Sequence, residues 1–369
     1  MIFKIKLFTK SVIVLAILFL TGNVLAVNIG GEMDIRNYLS YNTENQKPKV
    51  GWSGVAELEF FLPQTNNLDP RMVLLGDLSS REVDLDFKYA YLRYRYNGGH
   101  LTLGRQPVSW SYGSIINPLG YGPGVAGLAG ETIRPDVNGI RYLRFLGAGS
   151  TLQLIGSFPE GNESSFDRLG YGLRLRFPGT GHDISFNMIT QPVSTGGEET
   201  EDNLIRVGTI YSGDLGPIGV YGALGYFHLY EAELDEILSQ VGIDYSWQVG
   251  PRYRERLIYF QAEYLRFWKE NSGGLAQFQQ FTDLLDITLN NGAAENTQDL
   301  FVGNLVLQLD YFSEIGLGMI TDTGDIPLII APFYQNDLGG DLELRIEGNI
   351  WVNNNDVSIG TGAGLKYYF

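Results

Sequence analysis

The chain has 369 residues, and its 42 Asp and Glu against 26 Lys and Arg give a formal net charge of −16, which argues against nucleic acid as a partner. It has no cysteine, which excludes a lipidated N-terminal cysteine, a disulfide framework and thiolate sites for metals or catalysis. Glycine (47), tyrosine (22) and phenylalanine (20) are abundant, a mixture that is typical of a barrel with lipid outside and water inside.

The first 26 residues predict a cleavable signal peptide. Lys4, Lys6 and Lys10 precede the apolar stretch 11–20, and Ala26 supplies the small residue that signal peptidase requires. The apolar stretch is short for a membrane span, so an uncleaved anchor helix is the less favoured alternative. We expect the mature domain to cover residues 27–369, with a formal charge of about −19 after loss of the three lysines.

Apolar and polar residues alternate with a period of two along the rest of the chain. Near its start, Ile29, Met33 and Ile35 alternate with Glu32, and the final segment 356–369 repeats the pattern. No later run reaches the ~18 apolar residues of a membrane helix. Backbone polar groups in lipid must all be paired, so such strands predict an all-β, transmembrane antiparallel β-barrel. A soluble β-sandwich or propeller is the alternative.

Turn residues divide the mature chain into eighteen predicted strands. Their ranges are 27–42, 51–63, 71–78, 83–96, 99–107, 137–146, 150–158, 167–177, 182–191, 203–212, 217–230, 241–249, 255–268, 299–312, 314–321, 326–335, 341–352 and 356–369. Sixteen strands is the alternative, because Pro327 and Pro332 interrupt one weak segment. The alternation shifts at 88–90, which predicts a β-bulge.

Two long connections follow strands. Residues 108–136 are rich in glycine and predict irregular backbone, whereas residues 269–298 carry apolar residues at helical spacing and predict a short amphipathic helix. Loop length does not give direction, so each connection could fold into the lumen or cap the outer rim.

The inward face of the predicted strands is unevenly charged. Basic residues fall in the middle strands, at Arg93, Arg95, Arg141, Arg174, Arg176 and Arg206. Acidic residues fall in the first and last strands, at Glu32, Asp34, Glu57, Glu59, Asp310, Glu343 and Glu347. First and last strands are neighbours in a closed barrel, so an acidic wall would face a basic wall and impose a transverse field. The alternative is that these charges pair with one another and only keep the wall wet.

Enzyme, metal and nucleotide sites lack support in the sequence. His100, His182 and His228 have no motif around them that resembles a catalytic arrangement, and residues 120–124 lack the lysine and helix of a phosphate loop. We therefore predict no enzymatic activity, no cofactor and no metal site.

One segment carries a resemblance to known proteins. Leu103-Gly104-Arg105-Gln106, followed by Trp110, Gly113 and Asn117-Pro118, resembles larger Gram-negative porin-like families that include the alginate-export-like barrels. The resemblance covers residues 86–120, and the ending Tyr367-Tyr368-Phe369 resembles the signal read by the barrel-assembly machinery. It implies that Arg105 faces solute near the glycine-rich loop. Since alternation with Leu101 and Leu103 would point Arg105 outward, that position needs a bulge at Gly104.

These observations together predict an outer-membrane channel (porin) for passive or weakly selective diffusion of small hydrophilic solutes. A substrate-specific or polysaccharide-export pore of the alginate-export type, and a structural barrel with a blocked lumen, are the alternatives. Inward aromatic candidates for sugar stacking are Tyr91, Tyr221, Tyr259 and Trp351. Expected partners are outer-membrane lipid and lipopolysaccharide, the barrel-assembly machinery through Tyr367 and Phe369, and small solutes or sugars.

We further expect a constriction where loop 108–136 meets the basic wall. The residues predicted to line the pore or this constriction are Arg105, Arg141, Arg174, Arg176, Arg206, Glu57, Glu59, Glu343 and Glu347.

Overall fold

Twenty β-strands and no helix make up the regular structure of the residues that the computed structural model describes. These residues are 28–42, 48–79, 83–108, 110, 112, 114–121, 124–125, 136–158, 169–194, 201–230, 234–250, 256–269, 297–322, 328–352 and 357–369. Over these ranges no helix is long and apolar enough to cross a membrane. The predicted signal peptide, and the predicted helix within 269–298, lie outside the described residues.

Eighteen strands form one sheet and two short strands pair beside it. The sheet strands are β1 (Asn28–Asn42), β2 (Lys49–Phe61), β3 (Leu68–Ser79), β4 (Val83–Tyr96), β5 (Gly99–Pro107), β8 (Asp136–Gly147), β9 (Ser150–Phe158), β10 (Gly170–Gly179), β11 (His182–Ser194), β12 (Glu201–Leu215), β13 (Ile218–Leu229), β14 (Leu234–Val249), β15 (Arg256–Lys269), β16 (Thr297–Gln308), β17 (Ser313–Asp322), β18 (Leu328–Gly339), β19 (Leu342–Val352) and β20 (Val357–Tyr368). Strands β6 (Ile116–Asn117) and β7 (Gly124–Val125) pair with each other between β5 and β8.

Pairing between the first and last strands closes the sheet into a barrel. Each strand pairs antiparallel with its neighbour in sequence, β5 pairs with β8, and β1 pairs with both β2 and β20. The register joins Met33 to Ala56 on one side and to Tyr367 on the other. A closed ring leaves no unpaired sheet edge, which is the condition for strands to cross a bilayer. The eighteen-strand prediction is confirmed, and the sixteen-strand alternative is wrong.

The two faces of the sheet differ in polarity. On β11, Phe186 and Met188 are 47% and 51% exposed, whereas Asn187 between them is 2% exposed. The same alternation of exposed apolar and buried residues recurs around the barrel. A continuous exposed apolar surface of this kind is stable in lipid and unstable in water. We call this surface the outer face and the opposite one the lumen face.

Short turns mark one end of the barrel. Residues 97–98, 148–149, 180–181 and 216–217 connect strands through two residues, and both ends of the described chain lie at this end. Gly98 (φ +89°) and Gly181 (φ +72°) take left-handed conformations that a two-residue hairpin requires. In bacterial barrels this is the periplasmic end, so the longer connections lie at the outer end.

A β-bulge interrupts the pairing of β3 and β4. Val73 lies opposite Tyr89 and Leu74 lies opposite Phe87, so Lys88 is the extra residue. The predicted bulge at 88–90 is confirmed. It changes the parity of β4, which places both the Lys88 ammonium and the Tyr91 ring on the lumen face.

The bulge expected at Gly104 is wrong. β5 keeps an unbroken register with β4 and β8 through Gly104, which has a φ of +111°. A Cβ at this position would collide with the carbonyl oxygen of Ala90, so only glycine fits. Arg105 therefore keeps the ladder parity of Leu103, and its guanidinium lies 3.6 Å from the Asp86 carboxylate.

Two strand boundaries differ from the prediction in ways that matter. β14 begins at Leu234 instead of residue 241, because residues 234–240 pair with β13 and β15. β16 ends at Gln308, so Asp310 lies in the turn 309–312 and not in the predicted pore wall. In this turn Asp310 accepts a hydrogen bond from the Phe312 amide (2.8 Å).

Pro332 lies within β18 and is absent only from the ladder with β19.

Candidate functional site

The described residues of 108–121, which we call the inner loop, lie inside the barrel. Ile116, Leu119 and Tyr121 are fully buried. Asn187 donates a hydrogen bond to the Leu119 carbonyl (2.8 Å), and Asn187 lies on the lumen face between the outward Phe186 and Met188. The open choice between lumen and outer rim is thus settled for this part of the connection.

A buried carboxylate anchors the middle of the inner loop. Glu263 of β15 accepts hydrogen bonds from the backbone amides of Ile115 and Ile116, the latter at 3.2 Å. It also accepts hydrogen bonds from the Tyr221 hydroxyl (2.8 Å) and from the Gln240 side chain (3.0 Å). Several donors around one acceptor compensate for taking the carboxylate out of water. Glu263 was not among the predicted site residues.

A buried arginine anchors the end of the inner loop. Arg206 of β12 is 1% exposed and donates to the carbonyl oxygens of Pro118 and Tyr121, both at 3.1 Å. It also donates to the Gln191 side-chain oxygen. Arg206 lies on the predicted face, but the loop covers it, so it holds the loop and does not contact solute in this arrangement.

Aromatic side chains attach the inner loop to β9. The Trp110 indole N–H donates to Gln153 (3.1 Å), and the Tyr121 hydroxyl hydrogen-bonds with Ser157 (2.7 Å). The two rings meet edge to face, with centroids 5.5 Å apart, a favourable geometry for aromatic pairs. Burial raises the pKa of Tyr121 to about 12, so its hydroxyl remains protonated and available for this bond.

Three glycines on the lumen face make room for the loop. A Cβ at Gly172 would lie 2.5 Å from the Tyr121 ring, and one at Gly225 would lie 2.9 Å from Leu119. Gly208 is in still closer contact with Leu119. A missing Cβ here permits close packing of the loop on the wall.

We expect Gly208→Leu to displace the inner loop. Overpacking costs about 1–3 kcal/mol, enough to expose the loop about ten-fold more often. The chain has no cysteine, so Ser114→Cys, at a buried loop position, provides a single maleimide label site whose labelling rate reports exposure.

The matched control is Gly156→Leu on β9, where a Cβ would meet nothing within 4 Å. Labelling of the control at the parent rate, with faster labelling of Gly208→Leu, is the expected pair of results. Equal rates in all three proteins would contradict the packing role of Gly208.

Part of the lumen face is apolar, a feature that was not predicted from the sequence. Buried apolar side chains of β12 to β18 lie on this face, among them Leu204, Phe227, Leu265, Phe267, Leu300 and Ile320. Ile115, Ile116 and Leu119 of the inner loop pack against them. On β15, the buried Leu265 and Phe267 alternate in step with Glu263. Their position on the lumen face could therefore have been predicted from the period of two along this strand.

The basic residues of the middle strands differ in their partners. Arg176 pairs with Asp183, and Arg93 and Arg95 share Asp69. Arg141 donates to the Pro107 carbonyl (3.2 Å) and Arg174 donates to the Ser185 hydroxyl (3.5 Å). Within the described ranges, neither Arg141 nor Arg174 forms an ion pair with a carboxylate. Neither charge is therefore directly paired, and the nearest acid acting on Arg174 is Asp183, which pairs with Arg176.

Most predicted acidic residues of the lumen face have basic partners. Glu57 pairs with Lys88, Glu59 with Arg71 (2.8 Å), and Glu32 with Lys366 (2.9 Å). Glu347 lies 3.3 Å from Arg345 and 3.6 Å from Arg36. The predicted acidic wall is thus largely neutralised by pairing, as the alternative interpretation of these charges supposed.

Three acids near the periplasmic mouth, Glu314, Asp337 and Glu343, form no ion pair among the described residues. Glu343 contacts the Tyr368 hydroxyl (3.4 Å) and lines a small cavity with Glu314 and Asp337. β8, which carries Arg141, is nine positions from β17 in the ring of eighteen strands, so the two lie on opposite sides of the lumen. The charge separation across the barrel therefore persists, with fewer acids than predicted. Among the residues described, no group of three or more His, Asp or Glu is arranged to hold a metal ion.

Comparison with known proteins identifies the fold. No family model matches the chain and no curated protein matches it in sequence. Among solved structures, a variant of OccD1 (OprD) has a TM-score of 0.58 at 9% identity and covers 93% of this chain and 95% of its own. OccD3 (OpdP) of Pseudomonas aeruginosa has a TM-score of 0.55 at 10% identity, covering 93% and 92%.

A third similar structure is Wzi of Escherichia coli, described as an outer-membrane protein involved in group 1 capsule assembly and as a carbohydrate-binding β-barrel. Its TM-score is 0.57 at 14% identity, covering 91% of this chain and 84% of its own. At these identities the likeness shows an outer-membrane, porin-type β-barrel fold and nothing finer. The resemblance to alginate-export-like barrels remains a prediction.

Proposed function

We propose that the chain is an outer-membrane channel for small hydrophilic solutes, secreted through a cleaved signal peptide, and that it favours anions. The observation that carries this proposal is a barrel whose lumen holds the inner loop and two arginines, Arg141 and Arg174, that form no ion pair with a described carboxylate. The closed barrel and its apolar outer face supply the membrane setting. The residues assembled here support transport and no chemical step, so we infer no enzymatic activity.

The inner loop would act as a fixed constriction. Its anchors come from different strands, with Glu263 at its middle and Asn187 and Arg206 at its end. A segment held by buried hydrogen bonds at several points is rigid, because each bond would have to be broken without replacement by water. Solute would therefore pass between the loop and the uncovered wall.

Uncompensated arginines would set the charge preference. A low-dielectric wall focuses the field of fixed charges into the lumen and raises the local concentration of anions. Arg174 is nearly buried, so it would act through its field, while Arg141 is more accessible. The acids at the periplasmic mouth limit this preference to a weak one.

The test is ion permeation through the folded protein in planar bilayers. Under a potassium chloride gradient we expect a reversal potential with the sign of anion selectivity. The selectivity should weaken between 0.1 M and 1 M salt, because the screening length falls from about 10 Å to about 3 Å. Absence of conductance would support a structural barrel, and cation selectivity would contradict the role of the arginines.

A polysaccharide pore is the second candidate. Tyr259 and Trp351 lie on the lumen face, and the Tyr259 hydroxyl is held by Gln261 (2.8 Å). Aromatic rings stack on sugars, and Wzi, of similar fold, is described as binding carbohydrate. Block of the current by linear anionic oligosaccharides, with no block by their monosaccharides, would favour this candidate over general diffusion.

The end of the chain is proposed as the assembly signal. Tyr367 and Phe369 are exposed on the outer face with rings stacked at 6.1 Å. The Phe369 amide and carbonyl hydrogen-bond with Gly31 of β1, at 3.0 Å and 2.9 Å. Phe369 thus lies at the seam where the barrel closes, the place at which the barrel-assembly machinery would act.

A further inference from the structure

An arginine lies on the outer face near the outer end of β15. Arg266 has the parity of Tyr264 and Trp268 and pairs in the ladder with Asp299 of β16. Its Nε lies 3.4 Å from the Asp299 carboxylate, and its guanidinium carbon lies 5.4 Å from the centre of the Trp268 ring. A cation on this face is costly in hydrocarbon, so its depth in the membrane decides its role.

The spacing to a second arginine on the same strand gives the depth of Arg266 in the membrane. Arg256 lies ten residues earlier with the same parity, and the outward residues between the two include Ile258, Phe260 and Ala262. Ten residues at ~3.4 Å each span ~34 Å along a strand, or ~26 Å along the membrane normal at the usual tilt, close to the ~25 Å apolar band of such barrels. Arg256 and Arg266 therefore lie at the two headgroup levels, periplasmic and outer.

The surroundings of Arg266 suit a phosphate. Asp299 already accepts a hydrogen bond from the Tyr264 hydroxyl (2.6 Å), and no other described acid forms an ion pair with Arg266. The Trp268 ring orients the guanidinium by a cation–π contact, and aromatic rings are favoured at headgroup depth. A guanidinium presents a planar fork of N–H donors that matches a phosphate group.

We propose that Arg266, with Tyr264 and Trp268, binds a phosphate of lipopolysaccharide in the outer leaflet. The outer end of the barrel contacts this leaflet, and its lipid carries phosphates at the boundary between acyl chains and sugars. Polar and aromatic side chains continue along the same outer end of the barrel. His228 lies 2.8 Å from Asp235, and the rings of Tyr226 and Tyr230 are exposed beside them. The site is separate from the lumen and does not depend on the proposed channel function.

The experiment measures binding of lipid A to the folded barrel in detergent by native mass spectrometry. Arg266→Gln should lower the affinity for bisphosphorylated lipid A about ten-fold, the effect of losing a charge-assisted hydrogen bond. Arg256→Gln is the matched control, since it removes the same charge from the same face at the other end, and it should bind as the parent does. Arg266→Lys keeps the positive charge but lacks the planar fork of N–H donors. Its affinity for lipid A should lie between those of Arg266→Gln and Arg256→Gln.

Two further probes separate lipid sources. The effect of Arg266→Gln should shrink with monophosphorylated lipid A and with phosphatidylglycerol if the site fits lipopolysaccharide. Equal losses for phosphatidylglycerol would overturn the choice of lipopolysaccharide. Unchanged binding in Arg266→Gln, or an equal loss in Arg256→Gln, would overturn the site itself, and heat-modifiable migration of every variant verifies that it is folded.

Discussion

Replacing residues 110–134 with a four-residue Gly-Ser linker is expected to raise the single-channel conductance roughly two- to four-fold. The change is feasible because Pro107 and Asp136 are ladder partners, so the ends of β5 and β8 are already adjacent. Removing the loop also removes the covering of Arg206 and Glu263, which become part of a wider, wetter wall. Single-channel recording at 1 M potassium chloride, where the field of fixed charges is screened, isolates the effect of width.

The control for this deletion is the same kind of shortening in another outer connection, at 160–167 between β9 and β10. Its conductance should remain near that of the parent. If both deletions raise conductance equally, or neither does, the inner loop is not the constriction.

Neutralising the basic wall is expected to shift selectivity towards cations. The double change Arg141→Gln and Arg174→Gln should lower the anion-to-cation permeability ratio roughly three-fold at 0.1 M salt and much less at 1 M, because mobile ions screen the removed charges. Reversal potentials under a salt gradient provide the measurement. Arg206 is left unchanged in this test, since its hydrogen bonds to the inner loop would be lost with it.

Arg144→Gln is the matched control for charge. Arg144 lies on β8 with outward parity, its guanidinium 5.9 Å from the Tyr96 ring centre, so its removal should leave selectivity unchanged. Arg105→Gln should also have little effect, contrary to the expectation from sequence, because the Asp86 carboxylate lies 3.6 Å from its guanidinium and offsets its charge. An unchanged ratio in the double variant would show that the basic wall does not act on permeating ions.

The barrel was predictable from sequence because its main signal is local. A period of two requires only neighbouring residues, and it located all eighteen strands and the bulge at Lys88. The charged lumen face followed from the same parity. Gly104 shows the limit of this reasoning, because a glycine with a φ of +111° can keep an unbroken ladder where sequence suggested an extra residue.

The inner loop was less predictable because its partners are distant in sequence. The glycine-rich composition indicated irregular backbone, but nothing local indicates that Glu263 accepts the amide of Ile116, 147 residues away. The same holds for Arg206, which parity placed in the lumen and which the loop then covers. Three-dimensional packing decides which lumen charges meet solute and which become anchors.

The long sequence separations between the inner loop and its partners affect the order in which contacts form during assembly. The inner loop is synthesised before every strand that holds it, and its anchors, from Gln153 to Glu263, lie 36 to 148 residues away along the chain. Contacts of such high sequence separation form late, because chain entropy must first be lost in bringing the strands together. None of the ladder pairings of the eighteen-stranded sheet involves the loop, so that sheet can form without it. The inner loop therefore gains its anchors strand by strand, and the passage reaches its final width only once β15 is in place.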